Sequence, residues 1–375
     1  MGLRSSRCRD PPGAVRERLA EQLLVTVMGW DDDDVSAQRP VLQAFADYKY
    51  DGYEQFEPGR RFIESLARWL HQFPEAERAN AFRFVRERLI FISRAEMQSL
   101  VGAVYPDFVR RRLLARAADD LGVARRRVLH VAGSKGFERR RRSCLFIGLS
   151  DGARTDILRR ANPQAIGNEQ VIVDHSALAE KAAEALEALR ADLTKLGVPE
   201  PEHARFTTVV LLDDFSASGI SYIRGEGGAG KIARIAERLA KLGDMIDHDD
   251  LEVQLVVYVA TTRALRHLNE GVAKLASRAP GSWSVHAIQE LGEEIVLARG
   301  EPPELADLIE GVYDRAINDE HMKKGGADGR WGFGDCGLPV VLAHNTPNNS
   351  IALLWAETDN VRALFPRVTR HRGEP

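Results

Sequence analysis

Over the second two-thirds of the chain, short aliphatic runs alternate with longer amphipathic stretches, and this alternation restricts the fold more than any other feature. The runs are Cys144 to Leu149, Thr208 to Leu212, Val253 to Ala260, Ser284 to Ile288 and Pro339 to Ala343. Several are apolar on both faces, as strands buried in a parallel sheet are. An alanine-rich stretch from Ala177 to Leu196 and a second from Ile232 to Leu242 have the periodicity of helices. Repetition of strand, helix and strand predicts a parallel sheet covered by helices. Ligands of such sheets gather at the loops beyond the carboxyl ends of strands, so the residues after each run carry most weight.

Upstream the texture differs. From Ala14 to Leu121 apolar residues recur at three and four, and Arg60 to Phe73 and Glu75 to Ile92 read as amphipathic helices. Pro40, Pro58, Pro74 and Pro106 fall where helices should start or stop. A length of 375 residues accommodates two domains. The expected division is an all-helical region over residues 1–127 and an α/β domain over 128–375.

With 44% hydrophobic and 29% charged residues the chain has a globular composition, which excludes the disordered and fibrous classes. Lys plus Arg number 52 and Asp plus Glu 55, a net charge of −3, so no global field draws the protein to nucleic acid or an anionic membrane. Cys8, Cys144 and Cys336 form no C-x-x-C pair, which argues against a zinc site or disulfide framework and for a reducing compartment. No run approaches the roughly 18 apolar residues of a membrane helix, and the arginine-rich start lacks the apolar stretch of a secretory signal. A cytoplasmic protein without membrane attachment is expected. Met1-Gly2 with Ser6 matches the short myristoylation pattern, against the plainer expectation of a frayed tail.

The segment Val209-Val210-Leu211-Leu212-Asp213-Asp214-Phe215-Ser216-Ala217-Ser218-Gly219-Ile220-Ser221 is a buried strand running into two carboxylates and then a loop of small and hydroxyl residues. Adjacent acids at a strand end can accept charge-assisted hydrogen bonds from the vicinal hydroxyls of a ribose. Small residues behind them let successive backbone N–H groups turn toward one phosphate, with Ser218 and Ser221 adding hydroxyls. The plainer alternative is an ordinary α/β turn with an Asp cap.

Apolar strand, Asp-Asp, three residues and a Ser/Thr-Gly-x-Ser/Thr turn resemble the phosphoribosyl-pyrophosphate (PRPP) motif of type I phosphoribosyltransferases. The resemblance implies an α/β fold, a Rossmann-like parallel sheet of the phosphoribosyltransferase type behind the helical amino-terminal region. It implies that Asp213 and Asp214 hold the ribose hydroxyls at the catalytic centre, and that Ser216, Ala217, Ser218, Gly219, Ile220 and Ser221 cradle the 5-phosphate. Mg²⁺ would arrive on the diphosphate of PRPP and not on a protein metal site. Two positions depart from the pattern: Ala217, where Thr is common, and Ile220, where a second Gly is common. Ile220 cannot easily adopt φ > 0, so altered loop geometry or lower affinity is expected. Upstream, Leu145-Phe146-Ile147-Gly148-Leu149 leads into Ser150, Asp151, Gly152, Ala153 and Arg154. This strand and turn resemble the family's pyrophosphate loop, with amides at a helix start and the Arg154 guanidinium for phosphate oxygens; a solvated strand-to-helix turn is the alternative.

Three longer-range segments narrow the likeness. Tyr48-Lys49-Tyr50-Asp51-Gly52-Tyr53, the turn Gly148 to Ala153, and His344-Asn345-Thr346-Pro347-Asn348-Asn349-Ser350 together resemble the phosphoribosyltransferase-like proteins of bacterial conflict and anti-phage defence systems, the PRTase-CE type. His344 to Ser350 follows an expected strand and so should emerge at the sheet's carboxyl edge. There Asn345, Asn348 and Asn349 can read a base or another acceptor, or Pro347-Asn348-Asn349 is simply good turn chemistry.

Other signals carry less. Gly225 through Lys231 nearly spells a nucleotide P-loop, but Ile232 stands where Ser or Thr is required and no strand immediately precedes the glycine. A flexible loop with lid potential is expected there, with Lys231 opening the next helix. Asp31 to Asp34 reads as a solvated, helix-capping loop and not as a cation site. Arg139 to Arg142, with Arg125 to Arg127, is the one local basic cluster, open to nucleic acid or polyphosphate but read first as a solvated connection.

The expected function is Mg²⁺-dependent binding of PRPP and transfer of phosphoribose to an acceptor, in an anti-phage defence setting. Two alternatives stand: a PRPP- or nucleotide-sensing effector without turnover, which Ala217 and Ile220 favour, and ribosyl-bond hydrolysis with water as acceptor. The helical amino-terminal region is the expected platform for partner proteins of a defence operon.

Overall fold

The structure is a computed structural model that describes residues 12–173, 175–223, 230–275, 279–297, 303–311, 313–318, 320–323, 325–326 and 328–367. The myristoylation pattern and most of the Gly225 to Gly230 loop lie outside the described residues. Seven strands occur among those described: β1 (Ile90–Ile92), β2 (Cys144–Gly148), β3 (Val171–Ile172), β4 (Thr208–Ser216), β5 (Glu252–Thr261), β6 (Ser282–Leu291) and β7 (Val340–Leu342). The chain divides into two compact units, Met1–Arg94 with Glu294–Pro375, and Ala95–Glu293. These units do not coincide with a division at residue 127. Residues 95–127 group with the large sheet, and the carboxyl-terminal 82-residue stretch from Glu294 groups with the amino-terminal helices.

In the first unit the helix Phe62–His71 buries Phe62, Leu66, Trp69 and Leu70, positions that share one face at helical spacing. The end of the chain folds back onto this face. Phe365 is fully buried, with the rings of Tyr50, Tyr53, Phe56, Phe62 and Phe91 at 5.1–5.9 Å. Burial of one such ring contributes about 1.5–3 kcal/mol, enough to hold a terminal segment that has little secondary structure of its own. Trp69 Nε1 donates to the Leu353 carbonyl at 2.9 Å and Ser65 Oγ to that of Leu364 at 2.7 Å.

The expected helix from Glu75 to Ile92 stops at Glu87, and Ile90–Ile92 instead forms β1. It pairs in parallel with β7, Ile90 opposite Val340 and Ile92 opposite Leu342. A β-branched and aromatic tripeptide gains more from that pairing than from another turn of helix. The run Pro339 to Ala343 is therefore a strand, but of this two-stranded sheet and not of the large one. The expectation that Asn345, Asn348 and Asn349 follow a strand of the large sheet is corrected accordingly.

The second unit holds a five-stranded sheet in the order β3-β2-β4-β5-β6, parallel throughout. Interior strand β5 is buried at every position, which explains its largely aliphatic character on both faces. The helix Leu178–Lys195 buries Leu178, Ala182, Leu186, Leu189 and Leu193 against one face of the sheet, beside Ile235 and Leu239 of the helix Lys231–Ala240. From β2 the chain moves outward to β3, then returns to β4 on the other side of β2 and proceeds to β5 and β6. The boundary between β2 and β4 is thus the point where the winding reverses, the place where sheets of this kind take their ligands.

Candidate phosphoribosyl site at the switch point

The register sets the site. Gly148 at the end of β2 lies opposite Leu212 of β4, and Leu149 N–H donates to the Leu212 carbonyl at 2.9 Å. Ser150, just past β2, therefore lies beside Asp213 of β4, and the Ser150 hydroxyl donates to Asp213 Oδ1. The two loops singled out in the sequence are joined by this bond.

β4 does not end at Leu212 but runs through both acids to Ser216. Successive residues of a strand face opposite sides, so the neighbouring acids diverge. Asp213 continues the face of Val209 and Leu211, which packs under the helices, and is 2% exposed. Its Oδ2 accepts from the Tyr222 hydroxyl at 2.5 Å and from Lys231 Nζ at 2.9 Å, and its Oδ1 also accepts from the Asp214 N–H at 3.2 Å. Burial, and then the charge of Asp214, push the Asp213 carboxyl above the usual carboxylate range, while Lys231, Ser150 and Tyr222 pull it back. Burial followed by the Asp213 charge raises the Tyr222 phenol well above its ordinary value, so it remains a donor.

Asp214 occupies the other face and is half-buried. Its Oδ1 accepts from the Phe215 N–H at 2.8 Å. Its carboxylate seats directly on Gly152, where an added β-carbon would lie 2.2 Å from Asp214 Oδ2. On this face the Tyr258 hydroxyl of β5 donates to the Ala153 carbonyl and pins the turn. Asp151 to Ala153 form one 3₁₀ turn, Asp151 is exposed, and Arg154 takes a left-handed conformation with φ 43° at the start of the helix Thr155–Ala161. A left-handed non-glycine residue costs about 1–2 kcal/mol, strain of the kind that clusters at functional sites.

Behind the acids, Ser216, Ala217 and Ser218 are buried, Ile220 is half-buried and Ser221 exposed. The left-handed burden of the turn falls on Gly219, with φ 72°; Ile220 is not among the positive-φ residues, so its side chain strains nothing. Its N–H reaches Ser218 Oγ at 3.3 Å. Thr261 Oγ1 donates to the Ala217 carbonyl at 2.6 Å, and His267 Nδ1 lies 2.9 Å from the Ser218 carbonyl, so that nitrogen carries the proton. The same ring fills the space over Gly219, where a β-carbon would stand 3.0 Å from Nδ1.

Comparison with known proteins meets this geometry at family level. The PRTase-CE family matches residues 66–367, well over half of the chain. The chain belongs to the PRTase-CE family. No curated protein and no solved structure matches it.

Elsewhere in this PRTase-CE chain the sequence-stated candidates separate. Asn345, Asn348 and Asn349 belong to the first unit. Asn349 Nδ2 donates to the Phe333 carbonyl at 2.8 Å, and Thr346 bonds Tyr53, with the two hydroxyl oxygens 3.0 Å apart. Two segments of the softer resemblance, Tyr48 to Tyr53 and His344 to Ser350, are thus neighbours. The basic run is engaged within the chain: Arg139 with the Pro199 and Glu200 carbonyls, Arg140 with Asp120 and Asp250, Arg141 with Glu138, and Arg142 with Glu169 and Asp192. Cys144 and Cys336 are buried free thiols. No helix among the described residues is long and apolar enough to cross a membrane. Sequence reading did not anticipate Tyr222, Tyr258 or His267. A tyrosine inside an otherwise aliphatic strand was a visible signal for Tyr258; the other two carry none.

Proposed function

We propose that this PRTase-CE protein binds PRPP with Mg²⁺ and transfers its phosphoribosyl group to an acceptor, as a cytoplasmic component of anti-phage defence. The observation that carries the proposal is the meeting, at the reversal point of a parallel sheet, of the Asp214 carboxylate with two small-residue loops. Asp214 meets the ribose hydroxyls, and the loop Ser216 to Ser221 takes the 5-phosphate. The turn Ser150 to Arg154 receives the diphosphate, assisted by the Arg154 guanidinium. In the step, the bond from the anomeric carbon to the diphosphate oxygen breaks and the electron pair leaves with pyrophosphate. A bond forms from that carbon to a nucleophilic atom of the acceptor, which gives up its proton. No protein nucleophile is needed, so the rate rests on positioning and on neutralising charge.

Among the described residues no group of three or more His, Cys, Asp or Glu is arranged for a metal ion. Mg²⁺ would be carried by substrate oxygens and water with one or two carboxylates, its usual mode with phosphates. When bound it supplies charge neutralisation to the leaving group.

The test is calorimetry of PRPP with Mg²⁺ on the full chain and on Asp214→Asn. Loss of a charge-assisted bond predicts roughly tenfold or greater weakening; equal affinity would sink the assignment. A second reading, a PRPP-sensing effector without turnover, draws support from the sealing of Asp213, which leaves one acid to face the sugar. Pyrophosphate release from PRPP in the presence of pooled bases, nucleosides and nucleic acids separates the two, and free ribose phosphate as product would mark hydrolysis.

A further inference from the structure

We propose that Asp213 is a positioning residue and not a ribose ligand: with Lys231, Tyr222 and Ser150 it forms a buried latch that ties the diphosphate turn to the phosphate cradle. The idea deepens the phosphoribosyl reading and rests on it for the names of the two loops; the latch itself rests on geometry. An ionised carboxylate has about four acceptor positions. At Asp213 they are taken by the Ser150 hydroxyl and the Asp214 N–H on Oδ1, and by the Tyr222 hydroxyl and Lys231 Nζ on Oδ2. A sugar hydroxyl could bond there only by displacing one of these donors.

The three side-chain donors come from different places in the chain. Ser150 belongs to the turn after β2, Tyr222 to the turn after the cradle, and Lys231 is the first residue of the helix Lys231–Ala240. Lys231 also lies over the Tyr222 ring, with Nζ 5.0 Å from its centroid, and its own N–H reaches the Ser221 carbonyl at 3.3 Å. One carboxylate therefore fixes the spacing between the loops. The lysine balances the charge of Asp213. The near P-loop that ends in Lys231 gains a use unrelated to nucleotide: its lysine points at an acid of its own chain.

Two ligand fragments read the two halves of the site on the full chain. Asp213→Asn is expected to weaken Mg²⁺-diphosphate by about tenfold and to leave ribose 5-phosphate within about threefold, whereas Asp214→Asn does the reverse. Loss of ribose 5-phosphate affinity in Asp213→Asn as large as in Asp214→Asn overturns the latch. Tyr222→Phe removes one donor from Oδ2 and repeats the test in a milder form, with diphosphate weakened about threefold and ribose 5-phosphate unchanged. A thermal-unfolding cycle needs no ligand. Lys231→Met leaves a buried carboxylate uncompensated, and Asp213→Asn/Lys231→Met should recover more than half of that loss of midpoint. Strict additivity overturns the latch. If the unaltered chain binds neither fragment, the phosphoribosyl reading fails, and the cycle still decides on the latch.

Discussion

The two ends of the five-stranded sheet both carry buried carboxylates beside cations, and they use them in opposite ways. At the amino end, Glu252 accepts both oxygens' bonds from Arg112 Nε at 2.8 and 2.9 Å, and Arg116 reaches Asp250 Oδ1 at 2.6 Å and the Thr207 carbonyl at 3.0 Å. Arg140 closes the network between Asp120 and Asp250. Acids and planar guanidiniums are matched there, the arrangement that satisfies a buried ion pair. At the carboxyl end Asp213 is paired with Lys231. One acid is sealed and the other stands against bare glycine backbone. The amino end holds strands together through guanidinium pairs; the carboxyl end sets the half-buried Asp214 beside the Gly152 turn.

The largest expected effect lies at the matched end. In Arg116→Met, Glu252 and Asp250 lose a cation whose side chain is only 11% exposed, and the Thr207 carbonyl loses its donor. Breaking a buried pair from one side costs about 3–5 kcal/mol, measured by denaturant unfolding. A loss no greater than that of Arg125→Met, whose partner Asp119 is solvent-exposed, would remove the distinction between the ends.

Much of this difference was legible before any coordinates, and the remainder was not for identifiable reasons. The aliphatic runs gave the parallel sheet, because strands buried on both faces must be apolar on both. The Asp-Asp and Ser-Asp-Gly turns were recognisable because a ligand loop needs small residues and acids at a strand end. That Asp213 and Asp214 part company depends on where the strand stops. Ended at Leu212, the run leaves two acids in one loop; continued to Ser216, it sends them to opposite faces. The fate of Arg139 to Arg142 was equally hidden, since their partners Asp192, Asp250 and the Pro199 carbonyl are distant in sequence. The joining of the first and last residues into one unit rests on ring contacts with Phe365, which no periodicity encodes.

An intermediate effect sharpens the role of the carboxyl end. In Gly152→Ala the new β-carbon meets Asp214 Oδ2 at 2.2 Å, so the carboxylate must shift. Since the turn is half-exposed, the fold should tolerate the change, with an unfolding midpoint near that of the unaltered chain. Affinity for PRPP should fall about tenfold. Unchanged affinity would detach Asp214 from the ligand and leave the acid pair without a contact to the sugar.

The smallest effect is a slope with pH set by Asp213. Burial and the neighbouring Asp214 raise the Asp213 carboxyl above its ordinary 3.8. The folded chain then takes up that proton more readily than the unfolded chain. Stability from this group is fully present below 3.8 and is lost as pH rises through the raised folded value. A carboxylate held mainly by its cations has the reverse dependence, losing stability on acidification. Unfolding free energies of the unaltered chain and of Asp213→Asn, taken from neutral pH downward, should therefore diverge in favour of the unaltered chain as the solution is acidified. If the difference instead narrows, Lys231, Ser150 and Tyr222 outweigh burial at Asp213.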